Sequence, residues 1–136
     1  MINIDQLPPG PELDRMIAVE VMGWKFYSEP DYFSDDNGRM RKTSLYHGKD
    51  PEQVEFMPST NIAHTWEVVD KIKSLLDIPV DRYGLNNSPV FTLRHLGDTW
   101  SASFVRDPYD PWEHEGEHQS VSMAICLCGL KVARRR

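Results

Sequence analysis

Two histidines near the end of the chain have the spacing of a zinc-protease motif. The segment His114-Glu115-Gly116-Glu117-His118 matches H-E-x-x-H, in which a helix presents both histidines on one face and the glutamate activates a metal-bound water. Pro111 precedes this segment and Gly116 lies at its centre, which disfavours a helix and favours a solvated acidic loop. A zinc-dependent hydrolase would need a further ligand from Glu113, His47, His64 or His95.

Aromatic and basic side chains crowd the segment between residues 24 and 42. Aromatic rings stack on nucleobases and arginine forks hold phosphates, so these side chains together suit a nucleotide pocket. Aromatic-rich strands mostly pack, however, which favours an arrangement with Trp24 and Phe26 in the core and Tyr27 and the basic residues in water. If the pocket exists, its predicted ligand-binding residues are Trp24, Phe26, Tyr27, Arg39, Arg41 and Lys42.

The two cysteines do not form a metal site or a bridge across the fold. Cys126 and Cys128 are two residues apart in a predicted helix, so their side chains point about 200° apart. We expect both thiols to be buried as small apolar groups.

The segment Asp35-Asp36-Asn37-Gly38 lacks the spacing of a calcium loop and predicts a turn. The preferred interpretation contains no catalytic residue, metal ion or cofactor, and the zinc site at His114 and His118 is kept as an alternative.

Apolar spacing predicts three helices that position these residues. The first spans 11–23 and begins at Pro11, which suits a first-turn position. The second spans 59–77, and we expect its apolar face to be buried while His64 lies off that face and is exposed. The third spans 120–134 and is apolar most of the way round, which is typical of a helix buried on two sides. The apolar face of the second helix contains Ile62, Trp66, Val69, Ile72 and Leu76.

Two strand-rich segments separate the helices, after an irregular leader over 1–10. Residues 24–46 contain strands around Asn37-Gly38, a dipeptide typical of two-residue hairpin turns. Residues 90–105 form a hairpin because Gly97-Asp98 separates two alternating strands. This order predicts an α+β fold: a single-domain α–β–α sandwich in which a small, mostly antiparallel sheet is covered by three helices.

Several blocks along the chain occur in an order found in one protein family. They are 9–14 running into 19–24, 58–63 continuing into 66–69, and Ala124-Ile125-Cys126 with Leu127 and Leu130. In these blocks the chain resembles the phage ABA-sandwich domain proteins of phages and bacterial prophages. The resemblance implies a compact α–β–α sandwich and a phage or prophage origin, and it carries no established activity onto particular residues. Residues 31–53 and 107–118 depart from the family pattern.

Composition excludes several classes of protein. The 136 residues are 40% hydrophobic and 10% aromatic, which fits one globular domain over 1–136 and argues against disorder. The formal charge of −6 argues against generic nucleic-acid binding. No apolar run approaches the roughly 20 residues that span a bilayer. Without a secretory leader or a cross-fold cysteine pair, we expect the chain in the cytoplasm of an infected or lysogenic bacterium.

Three functions are compatible with these features. The first is a non-enzymatic phage binding protein, expected to be a homo-oligomer, that counters host defence by sequestering a small nucleotide immune signal in the aromatic and basic pocket. The second is an inhibitor that binds a host defence protein directly through the acidic segment 107–118, which also contains Tyr109 and Trp112. The third is the zinc-dependent hydrolase that uses His114 and His118.

Overall fold

The computed structural model describes residues 4–27, 29–76, 90–105 and 114–135. After a 3₁₀ turn (Ile4–Gln6), the described helices are α1 (Pro11–Met16), which continues as a π-helical segment (Ile17–Val21), α2 (Pro51–Val54), α3 (Ile62–Leu76) and α4 (Val121–Arg135). The strands are β1 (Lys25–Phe26), β2 (Tyr32–Ser34), β3 (Met40–Lys42), β4 (Val90–Leu96), β5 (Thr99–Val105) and β6 (His114–His118). Within these ranges no helix combines the length and apolarity that a membrane crossing requires.

The strands form two antiparallel sheets, in the orders β1-β2-β3 and β4-β5-β6. The α+β sandwich predicted from the sequence is confirmed, but its details differ: the described residues contain two three-stranded sheets and four helices, where one small sheet and three helices were predicted. One extra helix is the single turn α2. The extra strand is β6, which lies in the segment where a loop was expected.

The first sheet is built around the turn between β2 and β3. Asp35 organises this turn because its Oδ1 accepts hydrogen bonds from the backbone N–H groups of Asn37 and Arg39, both at 2.9 Å. Gly38 adopts a φ of 77°, a left-handed conformation that glycine reaches without strain. The hairpin occurs where it was predicted, but its last Cα pair is Ser34 with Met40. The turn is therefore longer than the two-residue turn that Asn37-Gly38 indicated.

The second sheet depends on one glycine at its contact with α4. The β4–β5 hairpin closes at the pair Leu96–Thr99, around the predicted Gly97-Asp98 turn. In β6, Gly116 pairs with Ala102 of β5. A Cβ atom on Gly116 would lie 2.5 Å from the Cys128 amide nitrogen and would also meet the Ala124 carbonyl oxygen. The absence of a side chain thus allows β6 to lie directly against the backbone of α4.

Helix α4 is the centre of the core. It packs against α3, β5, β6 and the π-helical segment, which explains why a helix with apolar residues most of the way round is stable here. Neither cysteine forms a disulfide and both are buried, as expected, and burial raises the pKa of the Cys126 thiol well above its usual range. The fully buried residues of α4 are Met123, Ala124, Ile125, Cys126, Leu127, Cys128, Leu130 and Val132.

The buried face of α3 differs from the predicted one. Ile62 and Trp66 are each 45% exposed, although both were expected in the core. His64 was expected to be exposed and is buried. The helix is rotated because Thr65 faces inward, where its hydroxyl donates to the Pro58 carbonyl at 2.7 Å and lies 3.0 Å from the Ser122 hydroxyl. The side chains that face the core are His64, Thr65, Val68, Val69 and Ile72.

Candidate ligand-binding site

Arg41, on β3, is a buried arginine that joins the first sheet to α3. Its Nη1 and Nη2 atoms each donate to one carboxylate oxygen of Glu67 at 2.9 Å, and Nη2 also donates to the Glu55 carbonyl at 3.1 Å. The guanidinium carbon lies 5.2 Å from the ring centre of Trp24 and 5.3 Å from that of Phe56. Two-pronged pairing and cation–π contacts of this kind compensate for burial of the charge.

A cleft of about 360 Å³ lies between the β2–β3 turn and α3, and we call it the turn cleft. Its volume falls within the range of small-molecule sites, roughly 300–1,000 Å³. Its charged lining comprises four carboxylates and three cations, several of which are paired with one another. The charged residues are Asp35, Asp36, Glu67 and Asp70 together with Arg39, Arg41 and Lys71; the other lining residues are Met22, Trp24, Asn37 and Ser74.

The ion pairs leave some groups of the turn cleft available to a ligand. Asp35 lies 3.7 Å from Nη1 of Arg41 and 3.6 Å from Nε of Arg39, while Lys71 lies 3.5 Å from Asp36. The Arg39 side chain is nevertheless 60% exposed, and Asp70 is also exposed. An exposed cation and an exposed carboxylate therefore border the same cleft.

Two buried donors in side chains that line the turn cleft have no hydrogen-bond partner among the residues that the structure describes. They are Nε1 of Trp24 and Nε of Arg41, in side chains of residues that are only 6% and 5% exposed. An unsatisfied buried donor costs about 1–3 kcal/mol, so native proteins rarely leave two of them together. Each of the two atoms exposes less than 1 Å², so an acceptor bound in the cleft would remove this cost only when a neighbouring side chain shifts to admit it.

A second cleft of about 580 Å³ lies between α2 and the start of α3, and we call it the α2 cleft. It is lined by His64, whose Nδ1 accepts a hydrogen bond from the Met57 backbone N–H at 2.9 Å. Burial lowers the pKa of His64, against an opposing effect of Glu67. The neutral ring that accepts at Nδ1 carries its proton on Nε2. His64 is therefore fixed as a donor at Nε2.

The six predicted ligand-binding residues do not lie together. Trp24, Arg39 and Arg41 line the turn cleft. Phe26 is 59% exposed because it lies on the outer strand β1, where its ring packs edge-on against Phe33 at 5.6 Å. Tyr27 follows that strand and is also exposed. Lys42 is the neighbour of Arg41 on β3 and lies 5.2 Å from the ring centre of Tyr32.

The alternative prediction, in which Trp24 and Phe26 are in the core and Tyr27 and the basic residues are in water, is correct only in part. Trp24 is buried as expected, but Phe26 is exposed and Arg41 is buried, the reverse of their predicted positions. The contribution of α3 to the cleft was not predicted. Neither Glu67 nor Lys71 was a candidate site residue, and nothing in the sequence pairs Glu67 with Arg41, 26 residues away.

The zinc motif does not adopt the geometry it requires. Residues His114–His118 form strand β6 and pair with β5, whereas the motif needs a helix. Positions four apart on a strand are separated by roughly 13 Å, and Nδ1 of His118 accepts a hydrogen bond from the Ser120 N–H at 2.9 Å. In the described part of the chain, no three metal-binding side chains cluster around a common point. Residues 107–113 of the predicted acidic interface lie outside the described residues.

Comparison with known proteins gives a family and a fold. The model of the phage ABA sandwich domain matches residues 15–130, which confirms the resemblance inferred from the sequence. A crystal structure of a phage protein from Bacillus cereus ATCC 14579 is similar, with a TM-score of 0.52 and 18% identity, over 97% of this chain and 98% of that chain. At this identity the likeness concerns the fold alone. Among curated proteins, none matches the chain.

Proposed function

This chain belongs to the phage ABA sandwich domain family, and from that premise we propose that it is a non-enzymatic binding protein that holds a small nucleotide in the turn cleft. The observation that carries the proposal is a pair of buried donors, Trp24 Nε1 and Arg41 Nε, in side chains that line one cleft and without a hydrogen-bond partner in the described part of the chain. Phosphate, ribose and base oxygens are all acceptors that such donors bind.

The remaining groups of the cleft suit a nucleotide of low charge. The exposed Arg39 can hold a phosphate, and the exposed carboxylate of Asp70 can accept hydrogen bonds from ribose hydroxyls, as acidic residues do in dinucleotide-binding folds. Four carboxylates against three cations would repel a polyphosphate. The proposed ligand is therefore a nucleotide with one phosphate per nucleoside.

The proposed biological role is sequestration. A phage protein that binds a nucleotide immune signal of the host, and does not cleave it, lowers the free concentration of that signal and so counters defence. The role needs affinity and abundance rather than a catalytic group, which agrees with a site built from ion pairs and hydrogen-bond donors.

Calorimetric titration with the four nucleoside 5′-monophosphates tests the proposal. Trp24→Phe keeps an aromatic ring but removes the Nε1 donor, and loss of one such hydrogen bond should weaken binding by roughly 3- to 10-fold. Trp66→Phe is the matched control, because Trp66 is half-exposed on α3 and does not line the cleft. A wild-type protein that binds none of the four nucleotides, or equal affinities for both variants, would refute the proposed site.

A further inference from the structure

The α2 cleft adjoins the turn cleft instead of forming a separate site. Arg39, Arg41 and Glu67 line both clefts. The Glu67 carboxylate is 38% exposed and is held by Arg41 at 2.9 Å, so the boundary between the clefts is an ion pair. Arg39 is the exposed cation at this boundary, since its side chain is 60% exposed.

The groups that line the α2 cleft can bind an uncharged polar molecule. His64 is only 7% exposed, presents Nε2 as a donor, and has no hydrogen bond from that atom to any residue in the described ranges. The Oδ1 atom of Asn61 accepts from the backbone N–H groups of Ala63 and His64, which leaves its amide N–H₂ group for a ligand. On the other wall, α2 contributes the exposed Glu52 and Gln53.

Charge distinguishes the two clefts. The α2 cleft contains two arginines and two glutamates, so it has no net charge with which to hold a second phosphate group. Its donors and acceptors match the hydroxyl groups of a ribose and the polar edge of a base. Among the described lining residues, Arg39 is the one exposed cation common to both clefts, and it can hold a single phosphate between two nucleosides.

The geometry points to one two-lobed site, in which the turn cleft and the α2 cleft each hold one nucleoside of a dinucleotide and Arg39 holds the phosphodiester between them. This inference rests on the proposed function and extends it from a mononucleotide to a ligand with two nucleosides. Occupying a second cleft through a covalent link raises affinity because the second contact becomes intramolecular.

Competitive comparison of the four nucleoside monophosphates with the four 3′,5′-linked homodinucleotides tests the inference on the full chain. For the preferred base, the dinucleotide should bind at least about tenfold more tightly than the monophosphate. Ala63→Trp and Gln53→Trp fill the α2 cleft from exposed positions on opposite walls. Each should reduce dinucleotide affinity to the monophosphate level and leave monophosphate affinity unchanged. Ser74→Trp fills the turn cleft from an exposed position on α3 and should weaken both ligands.

The outcomes separate the two proposals. If Ser74→Trp weakens both ligands while Ala63→Trp and Gln53→Trp leave dinucleotide affinity unchanged, the second lobe is wrong and the proposed function stands. Equal affinity of the wild-type protein for both ligands also overturns the second lobe. If the wild-type protein binds neither ligand, both proposals fail. Melting temperatures identify any variant that fails to fold, and the two α2-cleft variants lie on different elements so that one can replace the other.

Discussion

Asp14 lies outside the candidate site and is a buried carboxylate whose protonation affects the stability of the fold. It is 1% exposed, and its Oδ1 accepts a hydrogen bond from the Ser59 backbone N–H at 2.8 Å, which ties α1 to the segment before α3. Burial raises its pKa from 3.8 to about 6, although hydrogen bonds from Ser59 oppose the shift. The folded state therefore keeps this carboxyl protonated to a higher pH than the unfolded state does.

This shift predicts a pH dependence that Asp14→Asn removes. Because the pKa is higher in the folded state than in the unfolded state, the stabilisation is complete below about pH 4 and is lost as the pH rises through about 6. A shift of about two units corresponds to a free energy on the order of 3 kcal/mol. Asparagine keeps an acceptor for the Ser59 N–H and does not ionise.

Urea unfolding of both proteins between pH 4 and pH 8 measures the effect. The wild type should lose stability relative to Asp14→Asn as the pH rises, by up to that amount. Burial also lowers the pKa of His64, and this shift increases the stability of both proteins as the pH rises. The difference in stability between the two proteins therefore isolates the effect of Asp14. A difference that is constant over this pH range would contradict the assignment.

At the scale of elements, the contact between β6 and α4 depends on Gly116. A Cβ atom there would meet two backbone groups of α4, and backbone cannot move aside as a flexible side chain can. Gly116→Ala should therefore destabilise the protein by about 1–3 kcal/mol or more. The control is Glu117→Ala, at an exposed position on the same strand, which should change stability by less than about 0.5 kcal/mol. Similar unfolding free energies for the two variants would show that β6 does not pack on α4 in this way.

The elements that were predicted correctly are those with local signals. All-round apolarity identified α4, and Gly97-Asp98 with alternating strands identified the β4–β5 hairpin. The errors arose where distant residues decide the outcome. The orientation of α3 depends on the contact between Thr65 and Ser122, 57 residues apart. Strand β6 forms because it pairs with β5 and packs against α4. For the same reason, three of the six predicted residues line the turn cleft, and its opposite wall on α3 was not predicted.

In the molecule as a whole, α4 packs against the second sheet and α3, and the candidate site lies at the junction between the first sheet and α3. The Arg41–Glu67 pair joins these two elements and also borders both clefts. Ligand binding at this position would therefore connect the β2–β3 turn, α2 and α3 through groups that are already fixed by packing.

The proposed hydrogen bond from Trp24 Nε1 to a nucleotide is tested most directly by ¹H–¹⁵N NMR. The experiment follows the indole N–H signals of the four tryptophans during titration with the best-bound nucleoside monophosphate. Trp24→Phe assigns the Trp24 signal, and Trp66→Phe assigns the control. If the nucleotide accepts a hydrogen bond from Trp24 Nε1, the Trp24 signal will shift in a saturable manner while the Trp66 signal remains in place. A Trp24 signal that does not move when nucleotide is bound would contradict the account.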